Sequence, residues 1–242
     1  MGTQTNESVQ KQELKKVKIF SLIFCGFAVL FILFALFLPI FERKIDLLEM
    51  SGDELLAILE SGNIDKNFSF FDELCLVFED FSSDGILSLM FIALSLVCGI
   101  LGIPTLVTMV KSLLSKELEE LEIKAIKKFS SADSPFERLK LTSAGIIPNN
   151  VRVGVVRRWL IVMTVVYCIS GLFLTAFAKD TNASSYFASL DGANVGLVIL
   201  LIATFAGVIT FAVLANAAHQ NFTAEVLKGL EEEKNKQENK EI

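Results

Sequence analysis

Residues 19–41 read IFSLIFCGFAVLFILFALFLPIF, a stretch without a single charged side chain. A helix of this length is enough to cross the ~30 Å hydrocarbon core of a bilayer. Three more stretches share the property, at 85–110, 159–178 and 192–218. The 22 basic and 28 acidic residues all fall outside these four segments. Apolar residues form 52% of the chain and come in blocks, where a soluble domain would spread them at amphipathic spacing. The pattern predicts an all-α membrane protein, an antiparallel four-transmembrane-helix bundle with left-handed crossings. It also predicts a single membrane domain over residues 1–218 and a charged tail over 219–242, the latter frayed or disordered from about residue 229.

The signs of the flanking charges set the expected orientation. The loop 42–84 carries three basic against twelve acidic residues, whereas the loop 111–158 carries ten basic against six acidic. Adding the N-terminal segment, the short loop 179–191 and the tail, one side holds 18 basic residues and the other 4. Lys and Arg concentrate on the cytoplasmic side of membrane proteins, and Asp and Glu bear little on orientation. Both termini and the loop 111–158 are therefore expected in the cytoplasm, with the acidic loops outside. The first apolar run is too long for the h-region of a cleavable signal and reads as a signal-anchor. Met1-Gly2-Thr3-Gln4-Thr5-Asn6 misses the myristoylation pattern at Asn6. Cys75 is alone in the outer loops while Cys25, Cys98 and Cys168 lie in the spans, so no intramolecular bridge is expected. A bacterial plasma membrane is the setting this favours.

Local patterns fill in the loops and the seams. In the first span, Phe20, Phe24, Phe27, Phe31 and Phe34, with Leu38 and Phe41, recur at 3-4 spacing. Beside them run Ser21, Cys25, Ala28 and Ala35, small enough to let helices approach closely. The small stripe is expected at the intramolecular seam and the Phe stripe toward lipid or a partner. Ser51-Gly52-Asp53-Glu54 has the form of a capping box and predicts a short helix ending near Gly62. A second amphipathic helix is predicted from Ser69, with Phe70, Leu74, Val77, Phe78 and Phe81 on one face. Pro104 predicts a kink in the second span. That span is expected to continue past Lys111 as a cytoplasmic helix with a stripe of Leu114, Leu118, Leu121 and Ala125, supported by a Glu120–Lys124 pair. The run at 130–135, Ser-Ser-Ala-Asp-Ser-Pro, should end it.

Ionisable groups inside spans mark ion and proton pathways, because burying them is costly. None interrupts these four segments, whose only carboxamides, Asn194 and Asn216, stand near the ends. Thr105, Thr108, Thr164, Thr175, Thr204 and Thr210 are expected to bond to their own helices. A single histidine, His219, rules out H-E-x-x-H, and the chain has no C-x-x-C, Walker, G-x-G-x-x-G or G-x-S-x-G motif. No catalytic, cofactor-binding or metal-ligating residue is therefore nominated, no cofactor is expected, and an enzyme is not expected. The expected partners are the lipid bilayer and either a second copy or a membrane-complex partner, not nucleic acid. The function this favours is association, as an accessory subunit or scaffold of a membrane complex. The alternative is a channel or transporter for a neutral or lipidic substrate, with the Pro104 kink as its moving part.

Overall fold

A computed structural model describes residues 2–43, 67–72, 75, 85–178 and 190–238. The chain is mostly helical. Its elements run α1 (Gly2–Phe37), β1 (Phe41–Arg43), β2 (Asn67–Phe68), α2 (Gly85–Leu114), α3 (Leu118–Ser130), α4 (Pro135–Ser143), α5 (Asn149–Ala178), β3 (Leu190–Ala193) and α6 (Val195–Glu238). Each uncharged segment coincides with most of one long helix. Two of them, at Ser8–Phe37 and Val195–Glu232, are long and apolar enough to cross a membrane, with mean hydropathies of 2.9 and 2.8. Only 39% and 17% of those apolar windows are buried. The exposed faces of the long helices are themselves apolar, with Ile23, Leu30 and Leu33 on α1, Ile100, Ile103 and Val107 on α2, Ile161 and Val165 on α5, and Ile199 and Ile202 on α6.

The chain divides into two compact units. The first comprises Met1–Ala28, Leu101–Trp159 and Ala206–Ile242. Its core is built from residues at 3-4 spacing, the period that turns one helical face inward. Leu14, Val17, Ser21, Phe24 and Ala28 supply it from α1, and Leu106, Met109 and Leu113 from α2. Leu118, Glu122 and Ala125 of α3 join Asn149, Val153 and Val156 of α5. From α6 come Val208, Ala212, Ala215, His219, Phe222 and Val226. Phe27 stacks on Phe211 with centroids 5.4 Å apart. The helix α6 runs to Glu238 through much of the expected frayed tail, and Gln10 Nε2 donates to the Glu225 carbonyl at 3.0 Å.

The second unit comprises Val29–Ile100 and Leu160–Phe205. Here a three-stranded antiparallel sheet in the order β2-β1-β3 departs from the all-α expectation. Phe41 pairs with Phe68 and with Ala193, so the strand β1 joins segments from both acidic loops. Strands of two to four residues are too short to show an alternating pattern, which is why the sequence does not announce them. Phe41, Phe68, Phe70 and Tyr167 cluster above the sheet, with Phe70 and Tyr167 centroids 4.7 Å apart. Asn194 caps α6: its Oδ1 accepts from Leu197 N–H at 3.3 Å, and its own N–H donates to the Ile40 carbonyl at 2.7 Å. Ser69 and Asp72 form a reciprocal cap, with Ser69 N–H to Asp72 Oδ2 at 2.7 Å and Asp72 N–H to Ser69 Oγ at 3.2 Å. The predicted helix starts there, at residue 70, while its remainder beyond residue 75 and the helix expected over 51–62 lie outside the described residues.

Two expectations about helix faces are corrected. The small stripe of Ser21, Cys25, Ala28 and Ala35 is buried as expected, but so are Phe24 and Phe31. Phe20, Phe27 and Phe34 are half-buried, so the Phe stripe packs inward and the aliphatic residues face out. Edge and face contacts between rings favour pairing Phe with Phe over spreading it in lipid. The second span does continue past Lys111, but it is not continuous with the helix that carries Leu118, Leu121 and Ala125. It passes unbroken through Pro104 and stops at Leu114, where Ser115 Oγ accepts from Glu117 N–H at 3.1 Å in place of the helical bond.

Candidate functional site

The break at Ser115 resets the phase of α3 and decides which of its residues turns inward. The buried face is Leu118, Glu122, Ala125 and Ile126, while Leu114 and Leu121 are 64% and 44% exposed. A glutamate thus occupies the core position that the expected stripe gave to Leu121. Glu120 and Lys124 lie on the opposite, exposed face and make no ion pair among the described residues.

Around Glu122 a buried polar layer takes one residue from each of four helices. Glu122, Asn149 and His219 are each 2% exposed and Ser21 is 0% exposed. The Asn149 N–H donates to Glu122 Oε2 at 3.2 Å, and Asn149 Nδ2 donates to Ser21 Oγ at 2.7 Å. His219 Nε2 lies 3.2 Å from the same carboxylate oxygen. Thr223 Oγ1 donates to the His219 carbonyl at 2.8 Å and sits 3.2 Å from Nδ1. Facing a carboxylate oxygen, the His219 Nε2 is placed to donate.

A buried carboxylate costs several kcal/mol unless opposite charge and donors surround it. Glu122 has three such compensations. Asn149 is the first residue of α5, so its N–H is one of the unpaired donors at the positive end of a helix. His219 supplies a second donor. Arg152 supplies positive potential: burial pushes its guanidinium below its usual value, and the charge of Glu122 works in the opposite direction. Arg152 Nη1 also reaches the Thr108 carbonyl at 3.4 Å, which ties α5 to α2.

The layer is a joint that sets register. A polar residue in a helical seam is satisfied only when its partner helices sit in one alignment, so it selects that alignment at some cost in stability. Both ring nitrogens of His219 and one carboxylate oxygen are engaged, and Ser21, Glu122, Asn149 and His219 are all buried. The sequence placed His219 beyond the fourth span and Asn149 in a loop, and it did not single out Glu122. The available signal is the phase: positions 118, 122 and 125 keep the seam spacing once the helix is restarted after Ser115.

Adjoining this joint is α4, a helix with well-formed ends and no buried residue. Ser134 Oγ accepts from Glu137 N–H at 3.2 Å, Pro135 takes the first helical position, and Glu137 Oε2 accepts from Asp133 N–H at 3.2 Å. At the other end Ile146 N–H donates to the Leu141 carbonyl at 3.0 Å around Gly145, whose φ of 75° few side chains tolerate. Phe136 and Leu139 lie 78% and 65% exposed on this helix.

The remaining sequence readings find their places. Thr108, Thr164 and Thr204 bond to carbonyls of their own helices, as expected. Cys75 is exposed and Cys25 buried, both as free thiols. No protein-family model, curated protein or solved structure matches the chain.

Proposed function

We propose that this chain is a four-span membrane protein that acts by association, as an accessory subunit or scaffold of a membrane complex. In this reading it resides in the plasma membrane, with both termini and the basic loop in the cytoplasm. The membrane part is supported by apolar windows that are mostly exposed, whereas the core helix of a soluble protein buries its apolar stretch. The grouping of the chain supports the orientation. The N-terminal segment, the basic loop and the tail share one compact unit, and both acidic loops belong to the other.

The association is carried by one observation: α4 is capped at both ends yet buries nothing. A nine-residue helix is marginal in water on its own, and helices this short are held by packing an apolar face. Phe136 and Leu139, one turn apart, form such a face without a covering element among the described residues. The polar layer gives that face a fixed base, because it locks the neighbouring α3 to α1, α5 and α6. A partner subunit that covers Phe136 and Leu139 completes the arrangement. A photo-crosslinking residue at position 136 or 139 should capture a partner in native membranes. Phe136→Ser with Leu139→Ser should release that partner without unfolding the chain. Only uncrosslinked chain in native membranes, together with unchanged migration of the double variant in mild detergent, contradicts the reading.

A further inference from the structure

A groove of about 300 Å³ lies between the first turns of α5 and the later part of α6. Asn150, Gly154, Arg157 and Arg158 line it from one helix, and Asn216 and Gln220 from the other. No acidic residue lines it. Neither arginine has an ion-pair partner among the described residues. Asn216 Oδ1 is buried there and also without a hydrogen-bond partner. Two guanidiniums without an ion-pair partner among the described residues, in a groove without an acidic residue, ask for a ligand that brings negative charge.

Three features of its place name the class of ligand. Arg157 and Arg158 immediately precede the uncharged run at 159–178, and Asn216 stands two residues before the end of the run at 192–218. On the four-span reading, the groove then opens at the level of the cytoplasmic headgroups, where basic pockets between membrane helices hold anionic lipids. Its volume is at the lower limit for small-ligand sites, suited to a headgroup. The turn of α6 before Asn216 exposes Val213 and Leu214, at 54% and 38%, an apolar surface that acyl chains can follow and a free anion cannot use.

We propose that this groove holds the headgroup of an anionic phospholipid of the phosphatidylglycerol type. Arg157 and Arg158 bind its phosphodiester, and Asn150, Asn216 and Gln220 give the headgroup a polar wall. The shared chemistry is a phosphate ester, which a soluble phosphate could also supply, and the lipid is favoured by the adjoining apolar turn. This assignment rests on the four-span reading.

Trp159, the chain's one tryptophan, follows Arg158 directly and serves as the probe. The full-length protein is placed in phosphatidylcholine nanodiscs carrying a small fraction of brominated-chain phosphatidylglycerol or, in parallel, brominated-chain phosphatidylcholine. Quenching of Trp159 should report an apparent preference for the anionic lipid on the order of tenfold, as two arginines at a headgroup supply. A Cβ at Gly154 meets nothing within 4 Å, so Gly154→Leu fills the groove without disturbing the fold. That variant, and Arg157→Gln with Arg158→Gln, should each bring quenching down to the phosphatidylcholine level. Equal quenching by the two lipids in the unaltered protein, or full preference retained in Gly154→Leu, overturns the site. Loss of the preference on adding millimolar inorganic phosphate overturns the lipid assignment in favour of a soluble phosphate ester. Alkaline carbonate washing of native membranes separates the two layers of inference. Release of the chain contradicts the four-span reading, whereas retention with equal quenching overturns the headgroup site alone.

Discussion

Replacing Glu122 by Leu tests the polar joint most severely. The substitution removes the acceptor of the Asn149 N–H and of His219 Nε2 while leaving both groups in a core where they are 2% exposed. Breaking a buried charge pair by deleting one partner costs about 3–5 kcal/mol, and an orphaned buried donor costs about 1–3 kcal/mol. A net loss of about 3 kcal/mol, the lower end of the first range, is expected. For a chain of this size that corresponds to a fall of roughly 6–12 °C in Tm. His219→Leu should cost less, since the Asn149 N–H and Arg152 still face the carboxylate. The double variant Glu122→Leu with His219→Leu should be less destabilised than the sum of the two by about 2 kcal/mol, because the stranded charge is gone. The assay is thermal loss of the monodisperse peak in detergent, read alongside tryptic cleavage at Lys127 and Lys128. A Glu122→Leu protein as stable as the unaltered chain, or strict additivity of the two substitutions, refutes the joint.

Four further perturbations follow from packing and capping. A Cβ at Gly207 falls under 3.0 Å from the Phe27 ring, so Gly207→Ala should cost about 1–3 kcal/mol and be relieved by Phe27→Leu. Gly102→Ala, whose Cβ lies 3.8 Å from Trp159 Cβ, should be neutral in the same melting assay or stabilising by up to about 1 kcal/mol. Phe24→Ala should cost about 3–5 kcal/mol because the ring is fully buried, whereas a lipid-facing ring would give little change in thermal stability. Ser134→Ala should destabilise α4 by about 1 kcal/mol, seen as faster hydrogen exchange confined to residues 135–143, since no residue of this helix is buried.

The helices were legible because their cause is local. An uncharged run fixes its own hydrogen bonds whatever surrounds it, and most of each run lies in one of α1, α2, α5 and α6. The small stripe of the first helix was legible for the same reason. Which other face accompanies it was not, because Phe24 and Phe31 are buried by rings and side chains far along the chain. The polar layer was hidden more thoroughly. Glu122 is 27 residues from Asn149 and 97 from His219, and Asn149 is 128 from Ser21. Each of them alone reads as an ordinary loop or boundary residue. A helix continuous through α2 and α3 would turn Leu121 inward, and the break at Ser115 shifts the phase so that Glu122 takes its place. The sheet escaped notice because its register is set by pairing between two loops that share no local signal.

Everything proposed for this chain depends on the acidic loops and the basic loop facing opposite sides of a bilayer, and one labelling experiment examines that directly. Cys75 is exposed and belongs to the acidic side, while Ser131 is exposed on the basic side. A membrane-impermeant maleimide applied to intact cells should label Cys75 in the unaltered chain. It should leave Ser131→Cys unlabelled in a Cys75→Ser background until the membrane is permeabilised. Labelling at position 131 and protection at position 75 would contradict the orientation, and immediate labelling at both would contradict the membrane placement itself.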